Sequence, residues 1–93
     1  MALIHRNITV GTTVTLIATI PAGGARSVAV QFQNLDTAAV FIGDSTITTS
    51  GAGRGHSIAA NSTLQLWLSP GDSVYGISAA GTTAGAVVVT FSA

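Results

Sequence analysis

Leu64-Gln65-Leu66-Trp67-Leu68-Ser69-Pro70-Gly71-Asp72-Ser73-Val74-Tyr75-Gly76-Ile77-Ser78 is the stretch that decides the fold. Its first five residues put three leucines on one parity and Gln65 and Trp67 on the other. A period of two belongs to a strand with one buried face, not to a helix. Pro70-Gly71-Asp72 is then a strong turn signal. Val74 to Ser78 reads as the next strand.

The same pattern extends outward in both directions. Ile8, Val10, Val14, Leu16, Ala18 and Ile20 share one parity, with Thr9, Thr13, Thr15 and Thr19 between them. Pro21-Ala22-Gly23-Gly24 stops that run. Val28, Val30 and Phe32 face one way, and Gln31 and Gln33 the other. Asn34-Leu35-Asp36-Thr37 reads as a hairpin turn. Val40-Phe41-Ile42 runs into a second turn at Gly43-Asp44, and Thr46-Ile47-Thr48 reads as a short strand. Ser50 to Gly55 is the loosest stretch, His56 to Ala60 a short strand, and Asn61-Ser62 its close. Ala86 to Phe91 is the last strand, after a small-residue loop around Gly81-Thr82-Thr83. Helix signals are nearly absent, since Thr and Val dominate where Glu and Lys would stand. The expectation is all-β: a single antiparallel β-sandwich or jelly-roll-like domain of about eight short strands over residues 1–93. Residues 1–6 are either a strand or an N-terminal arm that reaches a neighbour.

Composition says what kind of surface this sandwich has. Only 6% of the 93 residues are charged, namely Arg6, Arg26, Asp36, Asp44, Arg54 and Asp72, and none is Lys or Glu. A free-standing soluble domain carries a surface that is roughly 25–35% charged. Mean hydropathy is +0.61 and the net charge is zero. Such a chain fits a life packed against partners. Its edge strands have almost no charge to guard them, and both Pro residues look committed to turns. Three scattered Arg argue against nucleic acid, whose phosphates need clustered cations. No uninterrupted apolar stretch is long enough for a membrane span, and Met1 to Asn7 has no signal-peptide core. No Cys is present, so no disulfide or thiolate metal site is expected.

Candidate chemistry is thin. Gly51-Ala52-Gly53-Arg54-Gly55-His56-Ser57 lacks the Lys of a phosphate-binding P-loop. The dinucleotide fingerprint fails too, because His56 stands where its third Gly belongs. That leaves a loop, with Arg54 at its tip as a contact. His5 and His56 with the three Asp show no spacing typical of a metal site or a Ser-His-Asp triad. No catalytic residue, metal or cofactor is expected. Asp44 and Asp72 follow Gly and read as turn-formers. Trp67 points outward if the leucines face the core, as an interface anchor or a sugar platform, or else it lies partly under a loop. Asn7-Ile8-Thr9 and Asn61-Ser62-Thr63 match the glycosylation sequon by chance, and a Lys–Asn cross-link is excluded without Lys.

From Val40 onward the chain resembles small all-β virion proteins of tailed bacteriophages. The residues that carry this are Val40-Phe41-Ile42-Gly43-Asp44-Ser45-Thr46-Ile47-Thr48, then Leu64 to Leu68, then Ser69-Pro70-Gly71-Asp72-Ser73-Val74-Tyr75-Gly76-Ile77-Ser78-Ala79-Ala80-Gly81-Thr82-Thr83. Such proteins have a V-x-I-G-D-S-x-V-T strand-turn-strand before a P-G-D-S … Y-x-I-S-A-x-G-T segment and a Val-rich final strand. Gly76 and the Ser50 to Gly55 loop depart from that pattern. The resemblance covers about half the chain and implies a fold and a virion setting, with no active site. It does not fix the place in the particle, since such sandwiches occur both on capsids and in tails. The first expectation is a capsid decoration protein on the capsid surface, bound to the major capsid protein and to copies of itself, a trimer being one arrangement. Leu3, Ile4, His5, Arg6, Arg54, His56 and Trp67 are the expected contacts. The alternative is a carbohydrate-binding or accessory domain of the phage tail, at a fibre, tip or collar.

Overall fold

The computed structural model describes residues 3–23, 26–82 and 85–92. It contains eight strands: β1 (Leu3–Ile8), β2 (Thr15–Thr19), β3 (Val28–Asn34), β4 (Val40–Gly43), β5 (His56–Ile58), β6 (Thr63–Leu68), β7 (Ser73–Ile77) and β8 (Val87–Ser92). They form two four-stranded sheets, ordered β1-β8-β3-β6 and β2-β7-β4-β5, and every pairing is antiparallel. This is the jelly-roll order. The chain crosses between the sheets at nearly every connection. Only β4 and β5 form a hairpin within one sheet.

The core lies between the sheets. Val30 and Phe32 of β3 lie beside Val87, Val89 and Phe91 of β8 on one inner face, and Ile17, Val40, Ile42, Ile58 and Val74 come from the opposing layer. Leu64, Leu66 and Leu68 pack against this cluster but remain half-buried. Gly76 also faces inward. A Cβ there would meet Val10 and Ile17 at 3.4 Å, so those two side chains fill the space a larger residue would take.

One buried amide ties the corners at one end together. Asn34 is fully buried at the last position of β3. Its Nδ2 donates to the Ala38 carbonyl at 2.7 Å and to the Ile58 carbonyl at 3.0 Å. Its Oδ1 accepts from the Asp36 N–H at 3.0 Å. Its backbone N–H donates to the Ser62 carbonyl, and its carbonyl accepts from the Asn61 N–H. Next to it, the Leu35 N–H donates to the Ala86 carbonyl. Three connections (35–39, 59–62 and 78–86) therefore meet on one residue and its neighbour. At the same end the Val10 N–H and carbonyl both bond Thr82, and the Ser78 N–H donates to Gly11.

Several sequence expectations change here. Asn34 to Thr37 is no hairpin. It carries the chain from one sheet to the other, because the Asn34 amide holds a corner instead of a two-strand turn. Residues 69–72 also join different sheets, although the turn itself forms as the sequence suggests: the Asp72 N–H donates to the Ser69 carbonyl and Gly71 has φ 88. Pro at the second place and a positive-φ Gly at the third define a type II turn. The alternation from Ile8 to Ile20 breaks within β2. Pairing with β7 slips between Leu16 and Ala18, a bulge that buries both Ile17 and Ala18 and turns Leu16 outward, 49% exposed. Val14, also expected inside, is exposed. Residues 46–48 make no strand. Ile47 is buried between two turns, and Thr48 keeps only an isolated bridge to Arg54. Leu3 to Arg6 lie in β1, paired residue for residue with β8, while Met1 and Ala2 fall outside the described residues.

Asn34→Ala is expected to cost at least about 2–3 kcal/mol, because more than one buried polar group loses its partner. Thermal unfolding should fall by roughly 10 °C or more for a chain this small. Asn34→Asp tests the same site through pH. Its carboxylate would face two carbonyl oxygens it cannot donate to, so its folded pKa rises above the unfolded value of about 3.9. The variant's penalty should grow as pH rises above about 3.9 and shrink on acidification. Ser78 gives the contrast. Its Oγ is buried with no hydrogen-bond partner among the described residues, so Ser78→Ala should leave stability unchanged or raise it by up to about 1 kcal/mol.

Candidate functional site

The candidate site is a surface, and it is built by strand parity. On the outside of the β1-β8-β3-β6 sheet, His5, Thr90, Gln31 and Gln65 lie in one row across the four strands. Asn7, Val88, Gln33 and Thr63 form the next row. This face is neutral and polar. His5 is held by its own strand, with Nε2 2.9 Å from Asn7 Oδ1. Leu3 and Trp67, 73% and 70% exposed, stand on the two edge strands of this face, three strand spacings or about 14 Å apart.

The other sheet has a different exterior. Leu16 lies beside Tyr75, and Tyr75 beside Gly43. Ile77 lies beside Phe41, and Phe41 beside Ser57. With Val14 next to β2, these residues form an apolar outer surface on which Val14 and Leu16 are exposed and Phe41, Tyr75 and Ile77 half-buried. Sequence parity missed this face because it carried Val14 and Leu16 inward through the bulge. The signal was there all the same. Leu16-Ile17-Ala18, Val40-Phe41-Ile42 and Val74 to Ile77 are apolar on successive positions, the mark of strands with two apolar faces.

None of the six charges stands on either outer sheet face. Arg26, Asp36, Asp44, Arg54 and Asp72 lie in connections. Arg6 is in β1 but on the inward parity, between Ile4 and Ile8 and opposite Val89, with its side chain exposed at the sheet edge. The Asp residues work as turn-formers. Asp72 Oδ2 accepts from the Ser69 N–H at 2.8 Å, and Asp36 Oδ1 from the Thr37 N–H. Asp44 Oδ1 accepts from the Thr46 hydroxyl at 2.6 Å and from the Thr46 N–H at 2.9 Å. Those two bonds, the hydroxyl first, hold its carboxyl below the ordinary 3.8.

The expected contact residues thus occupy three places. Leu3, His5 and Arg6 are exposed on edge strand β1, with Ile4 turned toward the core. Trp67 lies on the opposite edge strand, β6. Arg54 and His56 belong to the other sheet's hairpin, where they line an open cleft of about 570 Å³ with Asp44, Thr46, Ile47 and Gly55. No second aromatic ring shares the outer face of Trp67 among the described residues, since Tyr75 is on the other sheet. A stacking site for a sugar therefore has one platform only. Among the described residues no three His, Asp or Glu side chains group closely enough to hold a metal ion. No helix of the structure is long and apolar enough to cross a membrane. Compared with known protein families, curated proteins and solved structures, the chain matches none of them.

The hairpin cleft makes two expectations. Gly55 passes so close to the β4 backbone that a Cβ would collide with the Ile42 carbonyl. Gly55→Ala should therefore destabilise the chain by about 1–3 kcal/mol in thermal unfolding, since backbone must shift. The Thr46 amide resonance should report Asp44 titrating with a midpoint below 3.8. Because the folded pKa is depressed, the Asp44 contribution is complete above the unfolded pKa and fades as pH falls through the folded one.

Proposed function

We propose that this chain is a non-enzymatic structural protein of a tailed-phage virion, a capsid decoration protein that reinforces the major capsid lattice by surface contact. One observation carries the reading: both broad faces of the sandwich are free of charge, and one of them bears an apolar patch. Natural surfaces keep such patches small unless a partner covers them. Each broad face fits within 36 by 25 Å, the scale of the roughly 800 Å² per partner in a standard protein interface. The phage resemblance of residues 40–48 and 64–83 supplies the setting. In this reading the Val14, Leu16, Phe41, Tyr75 and Ile77 face meets the capsid protein. Many copies then make a modest contact into a large effect on particle strength.

Burying one leucine side chain contributes about 1.5–3 kcal/mol. Leu16→Lys should therefore lower occupancy on particles by tenfold or more, while the unattached chain keeps its unfolding temperature. Particles lacking the protein should rupture at lower temperature than loaded ones. Equal rupture thresholds would sink the proposal. Counting copies per virion tests the location: hundreds support the capsid, and a few to tens would move the protein to the tail.

A further inference from the structure

Each sheet has two edge strands, and each edge presents unpaired backbone N–H and carbonyl groups that invite another strand. Three of the four edges carry a recognised protection. β5 is only three residues long. β2 has the bulge between Leu16 and Ala18. β1 carries Arg6 on its inward parity, where an added strand would have to bury its charge. β6 has none of these. Its six residues, Thr-Leu-Gln-Leu-Trp-Leu, contain no charge, proline or glycine, and they pair with β3 one to one without a slip.

We infer that the β6 edge is a self-association site, where β6 of a second copy of this chain adds antiparallel to make one continuous eight-stranded sheet. Side-chain parity selects the register. A two-fold axis perpendicular to the sheet keeps core faces on the same side, so only residues of equal parity oppose each other. With Leu66 on the axis, Leu64 faces the second copy's Leu68, and Gln65 faces its Trp67. Shifting the axis to Gln65 or to Trp67 leaves one leucine opposite a non-leucine residue. The Leu66 register alone pairs all three. It also covers what the single chain leaves uncovered, namely three half-buried leucines on the inner face and a Trp67 that is 70% exposed on the outer one. A second copy fits better than a foreign strand because the segment is complementary to itself and has no charge to repel its own image. This site is separate from the apolar face of the other sheet and does not rest on the virion reading.

Sedimentation of the purified chain tests it. The expected species has twice the 9.2 kDa mass of one chain. The double substitution Gln65→Lys and Trp67→Lys places lysine opposite lysine twice, at two exposed positions that leave the single fold intact. It should give a monomer with unchanged circular dichroism. Leu16→Lys, on the other sheet, should leave the dimer in place. The native chain has no Cys. A single Leu66→Cys should therefore link two chains across the axis with a short thiol cross-linker, while Thr90→Cys, in the middle of the sheet, should not. A monomeric or trimeric native chain would overturn the inference, as would a dimer that survives the double lysine substitution or links as readily through Thr90→Cys.

Discussion

The Asn34 side chain is the constraint on which the rest of the structure depends. A jelly roll must carry its chain back and forth between two layers, and each crossing strips backbone groups of their strand partners. At one end of this sandwich, a single buried amide restores them. It donates to Ala38 in the connection after β3 and to Ile58 at the end of β5, and accepts from Asp36, while its own backbone pairs with residues 61 and 62. No apolar residue of the same size meets those demands, and Asp lacks the two donors. With these corners held from inside, strand alternation puts Gln and Thr on one exterior and Phe, Tyr and Ile on the other, where the β2 bulge adds Leu16.

The distribution of charge follows from this economy of structure. Three Asp are consumed in capping turns, and Arg26 and Arg54 lie in connections. Only Arg6 touches a sheet, and it does so at an edge. The broad faces are therefore left neutral, and one of the four edges is left unguarded. Low charge on its own would be a solubility defect. Here the low charge has a definite arrangement: both sheet exteriors carry none, and every ion is confined to a connection or to one rim.

Much of this was legible in the chain. The period of two through Leu64 to Leu68 gave the strand and offered an outward Trp67 beside a place partly under a loop, and the 70% exposure of Trp67 selects the first. The turns at Gly43-Asp44 and Pro70-Gly71-Asp72 also formed. What stayed hidden depends on partners distant in sequence. The bulge in β2 exists only in its pairing with β7, some sixty residues away, so parity counted along one strand put Leu16 on the wrong side. Asn34 looked like a local turn residue because its partners at Ile58, Asn61 and Ser62 are not near it in the chain. For the same reason the apolar exterior bearing Leu16, Phe41 and Tyr75 could not be assembled from the sequence, since its strands meet only through long-range pairing.

The central claim is that the charge-free surfaces are the ones covered on assembly. Amide hydrogen exchange, compared between the free chain and the same chain on its assembled particle, tests it most directly. Added protection is expected along β6 and along the strands bearing Leu16, Phe41 and Tyr75, with little change in the 35–39 corner, already held by Asn34. Protection confined to the charged connections, with those strands exchanging as in the free chain, would contradict it.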